Sequence, residues 1–391
     1  MFRKVKEDIY SVGIIDWHRK LFDELIPLPD GTTYNSYLIE GEDKTALIDT
    51  VEPDFAEDFI NNLKDSGVQK IDYIISNHAE QDHSGSIPMV LDEYPEAEVI
   101  SGKKAKSMLM DLLDIEEDKI RAVDEGETID LGGKTLEFIE TPWVHWPETI
   151  STYLKEEKIL FSCDFFGSHL ASSDLFVQDE AEVYRAAKRY YAEIMMPFRK
   201  VIKKNMSKLE NYDISVIAPS HGPIYDRPEL IMDAYNNWIS DNVKAEVVVP
   251  YVSMHGSTDD LIKYFIDRLI DKDIKVKPFN LTDVDLGDLA ISLVDASTVV
   301  FGSPTVLTGP HPSAVYAAYL ANVLKPKTRY ASIIGSYGWA GKMTDKLLDL
   351  MPNLNVELYD PVVAKGHGAK EDYQEIDRLV EEIEADLKNI E

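Results

Sequence analysis

The six residues His78-Ala79-Glu80-Gln81-Asp82-His83 contain four side chains that can bind metal, and the first half of the chain is organised around them. The apolar run Ile71–Ile75 precedes them and predicts a buried strand, and residues 84–86 follow them and predict a turn. Neighbouring side chains of a strand point to opposite faces, so these four could not converge on a strand. We therefore expect a loop at a strand end. Imidazole and carboxylate side chains without a thiolate suit Fe, Mn or Zn.

A solvated polar loop is the alternative interpretation, and a single histidine would favour it. Two histidines and two carboxylates at this spacing favour a metal site instead. Three further side chains of the same type follow other strand-like apolar runs, namely His145 after Thr135–Glu140, Asp164 after Lys158–Ser162 and His221 after Ile214–Ser220. If these strands share sheets, their carboxyl ends bring all the side chains to one rim.

The composition of the chain restricts its class and its partners. Its 391 residues predict two domains, and a hydrophobic content of 44% is enough for sizeable cores. A net charge of −31 argues against nucleic acid and anionic membranes as partners.

Cys163 is the single cysteine, which excludes internal disulfides, Cys-x-x-Cys redox pairs and a rubredoxin-type iron site. We expect its side chain in the core. The first residues lack the apolar segment of a signal peptide, and no apolar run reaches the ~20 residues of a membrane helix, so we expect a cytoplasmic protein.

The pattern changes near residue 245, where strands and helices begin to alternate regularly. This alternation predicts a doubly wound parallel sheet with helices on both faces. We therefore expect two domains, residues 1–244 and 245–391. The predicted strands of the second domain are Glu246–Tyr251, Ile274–Phe279, Thr298–Phe301, Tyr330–Ile334 and Val356–Tyr359.

Three loops of the second domain combine glycine with small hydroxylated residues. The first precedes a predicted helix, where backbone N–H groups can hold a phosphate, although the same residues could simply cap the helix. Tyr337 and Trp339 offer aromatic faces to a flat ring, and no Gly-x-Gly-x-x-Gly is present, so FMN is favoured over a dinucleotide. The candidate FMN-binding residues are Ser253, Met254, Gly256, Ser257, Thr258, Ser303, Pro304, Thr305, Leu307, Ser336, Tyr337, Gly338, Trp339, Ala340 and Gly341.

Residues 180–210 are predicted to be helical and are unusually basic for this acidic chain. Between Arg185 and Lys208 there are eight basic residues and one acid, Glu193. A solvated helix face and a docking surface for an anionic partner both fit this pattern.

Of the other histidines, His169 is a candidate support for the metal ligands, because it follows Asp164 by five residues. Packing or surface positions are expected for His18, His255, His311 and His367.

Over nearly its whole length the chain resembles the flavodiiron proteins, or A-type flavoproteins. Its first half is similar to the metallo-β-lactamase fold, an αββα sandwich whose usual loop is His-x-His-x-Asp-His, with Glu80 here at the second His position. The runs around His145 (Trp-x-His-Trp-Pro) and from Gly31 (Gly-Thr-Thr-Tyr-Asn-Ser-Tyr) are also similar, and the second half resembles flavodoxin. The resemblance implies one iron held by His78, Glu80 and His145, another held by Asp82, His83 and His221, and Asp164 bridging the two.

The resemblance also implies an activity. Such proteins reduce O2 to water, NO to N2O, or both, with electrons passed through FMN. Many use rubredoxin as donor, whereas methanogen members without an extra domain take a hydride from reduced deazaflavin coenzyme F420. We expect an F420H2 oxidase, because the chain stops after the flavodoxin-like half and is acidic, with residues 185–208 as the docking candidate for that anionic coenzyme. A head-to-tail homodimer is implied, with a dimer of dimers as an extension.

Several alternatives stay open at this point. Nitric oxide reduction and rubredoxin-dependent oxygen reduction use the same ligands. A zinc hydrolase with a flavodoxin appendage is a second class, against which Glu80 argues. A non-enzymatic electron carrier is a third, but it would need flavin and none of the seven metal-binding side chains.

Overall fold

The computed structural model describes residues 2–339 and 341–390, and their contacts divide the chain into two compact units. The first unit comprises the chain up to Tyr190 together with residues 198–239, and the second comprises residues 191–197 and the chain from Ser240 onward. The predicted division into residues 1–244 and 245–391 stays a prediction, and its boundary falls at the beginning of the first strand of the second unit.

The first unit contains strands and helices in mixed order. Its strands are β1 (Arg3–Lys6), β2 (Ile9–Ser11), β3 (Ile14–Asp16), β4 (Leu21–Phe22), β5 (Ile26–Pro27), β6 (Thr32–Tyr34), β7 (Tyr37–Glu40), β8 (Thr45–Ile48), β9 (Tyr73–Ser76), β10 (Glu98–Gly102), β11 (Ile120–Val123), β12 (Thr128–Asp130), β13 (Thr135–Glu140), β14 (Ile150–Leu154), β15 (Ile159–Cys163) and β16 (Val216–Pro219). Its α-helices are α1 (Ala56–Ser66), α2 (Gln81–Ser84), α3 (Ile87–Glu93), α4 (Lys103–Leu113), α5 (Glu180–Tyr190), α6 (Arg199–Leu209) and α7 (Glu229–Ile239).

Two sheets form the centre of this unit. One has the order β1-β2-β7-β8-β9-β10-β11, and the other runs from β12 to β16 in sequence order. Their facing side chains share one apolar core, for example Ile75 from the first sheet and Phe161 from the second. The opposite face of the first sheet packs on α1 through Phe59 and Leu63, and Tyr235 of α7 packs against the residues that follow β15. The unit is therefore the αββα sandwich of the metallo-β-lactamase type, as expected.

The strand directions explain how distant ligands meet. Strands β13 and β15 are both antiparallel to β14, and β16 is parallel to β15. The loops after β13, β15 and β16 consequently leave the second sheet at the same end. Strand β9 is buried throughout and delivers His78 from the first sheet.

Two predictions about local structure between residues 78 and 210 needed correction. Asp82 and His83 lie on the short helix α2 rather than on a loop, because the chain turns after Glu80 and the amides of Ser84 and Gly85 bond back to Glu80 and Gln81. The helix predicted over 180–210 is interrupted by a π-turn at Tyr191–Met195 and a 3₁₀ turn at Met196–Phe198. Pro197 accounts for the break, since it has no N–H to donate and its ring would collide with the preceding turn.

The second unit is one sheet between two layers of helices, and its strands run parallel except for the short strand Gly309–Pro310. Its strands are β17 (Lys244–Tyr251), β18 (Lys275–Asn280), β19 (Ala296–Val306), β20 (Gly309–Pro310), β21 (Tyr330–Tyr337), β22 (Glu357–Leu358) and β23 (Val362–Lys365). Its helices are α8 (Ser257–Asp271), α9 (Leu286–Leu293), α10 (Pro312–Leu324), α11 (Met343–Leu348) and α12 (Lys370–Leu387). The order β18-β17-β19-β21-β22, with β23 also paired to β21, is flavodoxin-like, as expected.

Strands β19 and β21 extend further than the sequence predicted. Residues 303–306 and 336–337 are therefore strand rather than loop, paired in parallel register as Ser303 with Gly335 and Pro304 with Ser336. Apolar clusters cover both faces of the sheet, one with α10 and the other with α8 and α12. Among the helices of the described residues, none combines the length and apolar character needed to cross a bilayer.

Candidate functional site

All seven side chains predicted to bind metal come together in the first unit. They form two adjacent groups, in each of which the potential ligand atoms lie within 4.8 Å of one another. Every one of the seven is buried except His145, which keeps 14% of its side chain exposed. The groups are His78, Glu80, His145 and Asp164 in the first, and Asp82, His83 and His221 in the second.

Asp164 lies between the two groups and faces both. Its Oδ2 atom is 3.5 Å from Nε2 of His78 and 3.6 Å from Nε2 of His145. Its Oδ1 atom is 2.9 Å from Nε2 of His83 and 3.6 Å from Nε2 of His221. One oxygen toward each group is the arrangement of a carboxylate that bridges two metal ions.

Each group also has a carboxylate of its own. Glu80 Oε2 is 3.1 Å from Nε2 of His78 and 2.9 Å from Nε2 of His145. Asp82 Oδ2 is 3.3 Å from Nε2 of His83 and 3.2 Å from Nε2 of His221. The two groups thus offer the same chemical ligands, imidazole nitrogen and carboxylate oxygen, to two separate points.

Carboxylates and imidazoles lie close together among the buried groups of this site. Burial alone would raise the pKa of Asp164, but the neighbouring His83 lowers it well below its ordinary value. Burial alone would lower the pKa of His83, but Asp82 and Asp164 raise it to about 10. Within the part of the chain that the structure describes, both oxygens of Asp82 and Asp164 and both ring nitrogens of His83 are buried without a hydrogen bond of good geometry. Buried polar atoms left in this way are costly, and metal ions would satisfy them.

The run from Gly31 to Tyr37 holds the loop that carries His221. The Thr33 carbonyl oxygen lies 2.6 Å from Nδ1 of His221, and the Thr33 hydroxyl accepts the amide of Gly222. The Asn35 amide group donates to the carbonyls of Pro219 and Gly222, and the Tyr37 hydroxyl donates to Pro219 at 2.8 Å. This run therefore fixes the orientation of one ligand, a role that its sequence did not reveal.

His169 lies beside the metal groups without joining them. Its Nδ1 atom is 2.9 Å from the hydroxyl of Thr32, which in turn is 3.3 Å from Nδ1 of His221. Burial and the neighbouring His221 lower the pKa of His169 well below its ordinary value, which favours the neutral ring. The contact with Thr32 is consistent with a supporting position, and that role stays a prediction.

Aromatic side chains enclose the histidines. Phe22 and Tyr190 pack on His169, with ring centroids 5.0 and 4.9 Å away, and Trp146 packs edge-on against His78 at 5.0 Å. Such an apolar wall restricts solvent and lowers the local dielectric around bound ions.

The basic segment 185–208 is largely engaged within the protein. Arg189 donates to the carbonyl of Pro27, Arg199 to that of Ile239, and Lys208 to that of Glu140. Lys208 also pairs with Glu125. These contacts favour a structural role for part of the segment over a docking surface.

A cleft in the second unit collects most of the residues predicted to bind FMN. Its cavity of about 200 Å³ is lined by Ser253, Met254, Ser257, Thr258, Pro304, Thr305, Ser336, Tyr337 and Gly338, together with His255 and Gly366. A neighbouring cavity of about 380 Å³ shares Thr305 and Tyr337 and adds Gly341. The sequence did not single out Gly366, which follows the unpredicted strand β23, and His255 was expected only to pack or face solvent.

The remaining candidates differ in how they relate to this cleft. Gly256 caps α8 with φ of +94°, and a Cβ atom there would meet nothing within 4 Å, so the backbone leaves open space for a ligand. Ser303 is buried in β19, where its hydroxyl accepts the amide of His311. Leu307 and Trp339 are exposed, at 90% and 80%. Ala340 lies outside the described residues.

Comparisons with known proteins agree with both halves of this description. The profile of the ODP family beta lactamases matches residues 32–222. An uncharacterized protein of Methanocaldococcus jannaschii is 36% identical over 92% of both chains, and a nitric oxide reductase of Moorella thermoacetica is 35% identical over 90% of both. A coenzyme F420H2 oxidase of Methanothermobacter marburgensis is 32% identical over 89% of both. Rubredoxin oxygen:oxidoreductase from Desulfovibrio gigas superposes with a TM-score of 0.95 at 27% identity, over 100% of this chain and 99% of the other.

Proposed function

Because this chain belongs to the flavodiiron proteins, also called A-type flavoproteins, we propose that it is an FMN- and diiron-dependent oxidase that reduces O2 to water. The observation that carries this proposal is the pair of adjacent ligand groups with Asp164 between them. The proposed donor is the reduced deazaflavin coenzyme F420, and two molecules of F420H2 supply the four electrons and four protons that convert one O2 to two H2O.

The metal ligands are proposed as follows. One iron would be held by His78, Glu80 and His145, the other would be held by Asp82, His83 and His221, and Asp164 would contribute to both. The distances from the two oxygens of Asp164 support this division. Four imidazoles and three carboxylates favour iron, since a carboxylate such as Glu80 stabilises the ferric state, whereas no thiolate is available to favour softer ions.

The cleft of the second unit is the proposed FMN site. Open space beside Gly256 and Gly338 would admit a ligand close to the backbone, and Thr305 offers a buried hydroxyl that has no hydrogen-bond partner among the described residues. The amino end of α8 would hold the phosphate, as the amino termini of helices favour anions. FMN and the two irons supply the electron-transfer chemistry when they are bound.

The protein's own groups prepare the metal site for that chemistry. Seven buried side chains supply fixed ligand positions, and the aromatic wall formed by Phe22, Trp146 and Tyr190 keeps bulk water away. The partial exposure of His145 leaves one side of the first group open, which suits entry of a small molecule such as O2.

Reduction of NO to N2O is the second candidate activity, because the Moorella thermoacetica relative is named a nitric oxide reductase. A small redox protein such as rubredoxin is the second candidate donor, because the Desulfovibrio gigas structure is a rubredoxin oxygen:oxidoreductase. The F420H2 oxidases among the relatives support F420 as donor. The predicted cytoplasmic location stays a prediction.

We further propose that the chain works as a head-to-tail homodimer in which the FMN of one subunit faces the metal site of its partner. Each unit carries exposed apolar side chains that association would cover. In the first unit these are Trp17, Leu25 and Trp143, and in the second they are Met254, Leu307 and Trp339. A dimer of dimers would extend the same arrangement.

The decisive experiment is anaerobic mixing of purified protein with reduced F420 or reduced rubredoxin, one at a time, followed by addition of O2 or NO. We expect rapid oxidation of F420H2 with O2, two donors per O2, and iron as the bound metal. An Asp164→Ala protein that retains FMN is the control and should accept electrons without reducing O2 to water. Zinc in place of iron, or no reaction with any of these pairs, would refute the proposed function.

A further inference from the structure

His78 differs from the other metal-facing histidines in what supports its ring. Its Nδ1 atom lies 2.7 Å from Oε1 of Glu148, and both side chains are fully buried. Nδ1–H therefore donates to a carboxylate, which leaves Nε2 as the atom that faces Glu80 and Asp164.

Glu148 is itself held in place. The amide of Ala79 donates to the same Oε1 atom at 3.1 Å, so this oxygen receives two hydrogen bonds from consecutive residues. The second oxygen, Oε2, is buried and has no hydrogen-bond partner among the described residues. The carboxylate thus directs its interactions to His78 and to the backbone next to it.

The two histidines of the second ligand group, His221 and His83, have different surroundings at Nδ1 from those of His78. Nδ1 of His221 lies 2.6 Å from a backbone carbonyl, that of Thr33, which carries no net charge. Nδ1 of His83 has no hydrogen-bond partner among the described residues. The two groups offer similar ligands to metal, but among the described residues a carboxylate lies behind the ring of His78 and behind neither His83 nor His221.

We propose that Glu148 is a positioning residue that makes the two metal positions unequal. Its negative charge draws on the Nδ1 proton of His78 and so makes Nε2 a stronger donor to metal, an effect typical of carboxylate–histidine–metal arrangements. The ion held by His78 is bound more tightly and has the lower reduction potential of the two. This inference rests on the diiron site of the proposed function.

The test is Glu148→Gln in the full-length protein with ⁵⁷Fe. Glutamine keeps the shape and the acceptor oxygen and removes only the charge, while its NH2 group takes the position of the unpartnered Oε2. We expect one of the two Mössbauer doublets to change, the potential of that iron to rise, and the other iron to keep its signature. Metal affinity at the altered position should fall about 10- to 100-fold.

Asp72→Asn is the matched control. Asp72 precedes β9, the strand that leads to His78, and its carboxylate accepts the amide of Thr45 at 3.0 Å without approaching the ligands. This variant should leave both doublets and both potentials unchanged. The FMN content of both variants should equal that of the unaltered protein, which shows that the second unit is intact.

The outcomes separate this inference from the proposed function. If the unaltered protein holds fewer than two irons, the proposed function fails. If it holds two but Glu148→Gln leaves both doublets and both affinities unchanged, only the inference about Glu148 fails. The inference also fails if the affinity for iron falls equally at both positions, or if Asp72→Asn has the same effect as Glu148→Gln. Should Glu148→Gln not load iron, titration of the apoprotein with Co²⁺ must reveal one weakened site out of two, and two equal sites would overturn the inference.

Discussion

The metal groups of the first unit and the cleft of the second both lie where strands end, but they are built from different parts of the chain. The metal groups consist of charged or ionisable side chains, nearly all buried. The cleft consists mainly of glycines, small hydroxylated residues and a helix terminus, with exposed Leu307 and Trp339 nearby. The first site therefore depends on the identity of single side chains, whereas the second depends on the conformation of the backbone.

The largest effect should follow a change that touches both metal groups. Asp164→Ala removes the carboxylate that faces them both and leaves four imidazoles without their shared anion. We expect iron to fall from two per chain to a small fraction, a greater loss than the roughly 100-fold that the removal of an outer partner causes. Iron analysis of the purified variant measures this.

Asp16→Ala is a suitable control, because Asp16 is also buried and accepts the amides of His18 and Arg19 away from the ligands. It should retain both irons. An Asp164→Ala protein with full iron occupancy would show that Asp164 does not bridge the two groups.

A backbone change should affect the cleft alone. Gly256→Val places a branched side chain at φ of +94° and in the open space expected for the phosphate. Strain of this kind costs about 1–3 kcal/mol of folding stability, and the branched side chain fills the space expected for the phosphate, so FMN should bind at least ten times more weakly. Titration of the apoprotein with FMN, followed by flavin fluorescence, measures the change.

Gly67→Val provides the same strain elsewhere, at φ of +85° with nothing near its Cβ, at the end of α1. It should bind FMN normally. Iron content should be unchanged in both variants, and loss of iron from Gly256→Val would contradict the separation between the two sites.

The smallest effect concerns the loop that carries His221. Tyr37→Phe removes one hydrogen bond to Pro219, and Asn35 still donates to the same carbonyl. We expect a loss of about 1 kcal/mol in the free energy of unfolding, with both irons retained. Asn35→Ala removes two hydrogen bonds to this loop and should also weaken iron binding. Denaturant unfolding with iron analysis distinguishes the two, and equal iron loss in both variants would contradict this account.

The seven candidate metal-binding side chains could be singled out from the sequence because their types and spacing are typical of one chemistry. Their convergence could also be anticipated, since each follows an apolar strand. The role of Glu148 could not, because it contacts His78 only after the loop following β13 returns across 70 residues of sequence. The same holds for Thr33 and Asn35, whose partners lie more than 180 residues away.

The errors in the local predictions also have physical causes. Residues 303–306 contain proline and a glycine precedes them, which suggested a loop, but pairing with β21 continues the strand through them. The basic run 180–210 has helical periodicity throughout, yet Pro197 divides it. Gly366 follows a strand of four residues, Val362–Lys365, too short to stand out in sequence.

Complementation between two inactive chains tests the central claim most directly, namely that electrons pass from the FMN cleft of one subunit to the metal groups of its partner. One chain carries His78→Ala with His145→Ala and keeps its cleft, and the other carries Gly256→Val and keeps its metal ligands. Each homodimer should be inactive. Heterodimers should regain O2 reduction, at up to half the activity of the unaltered dimer, because one intact cleft then faces one intact metal site. Heterodimers that form and stay inactive would contradict transfer between subunits.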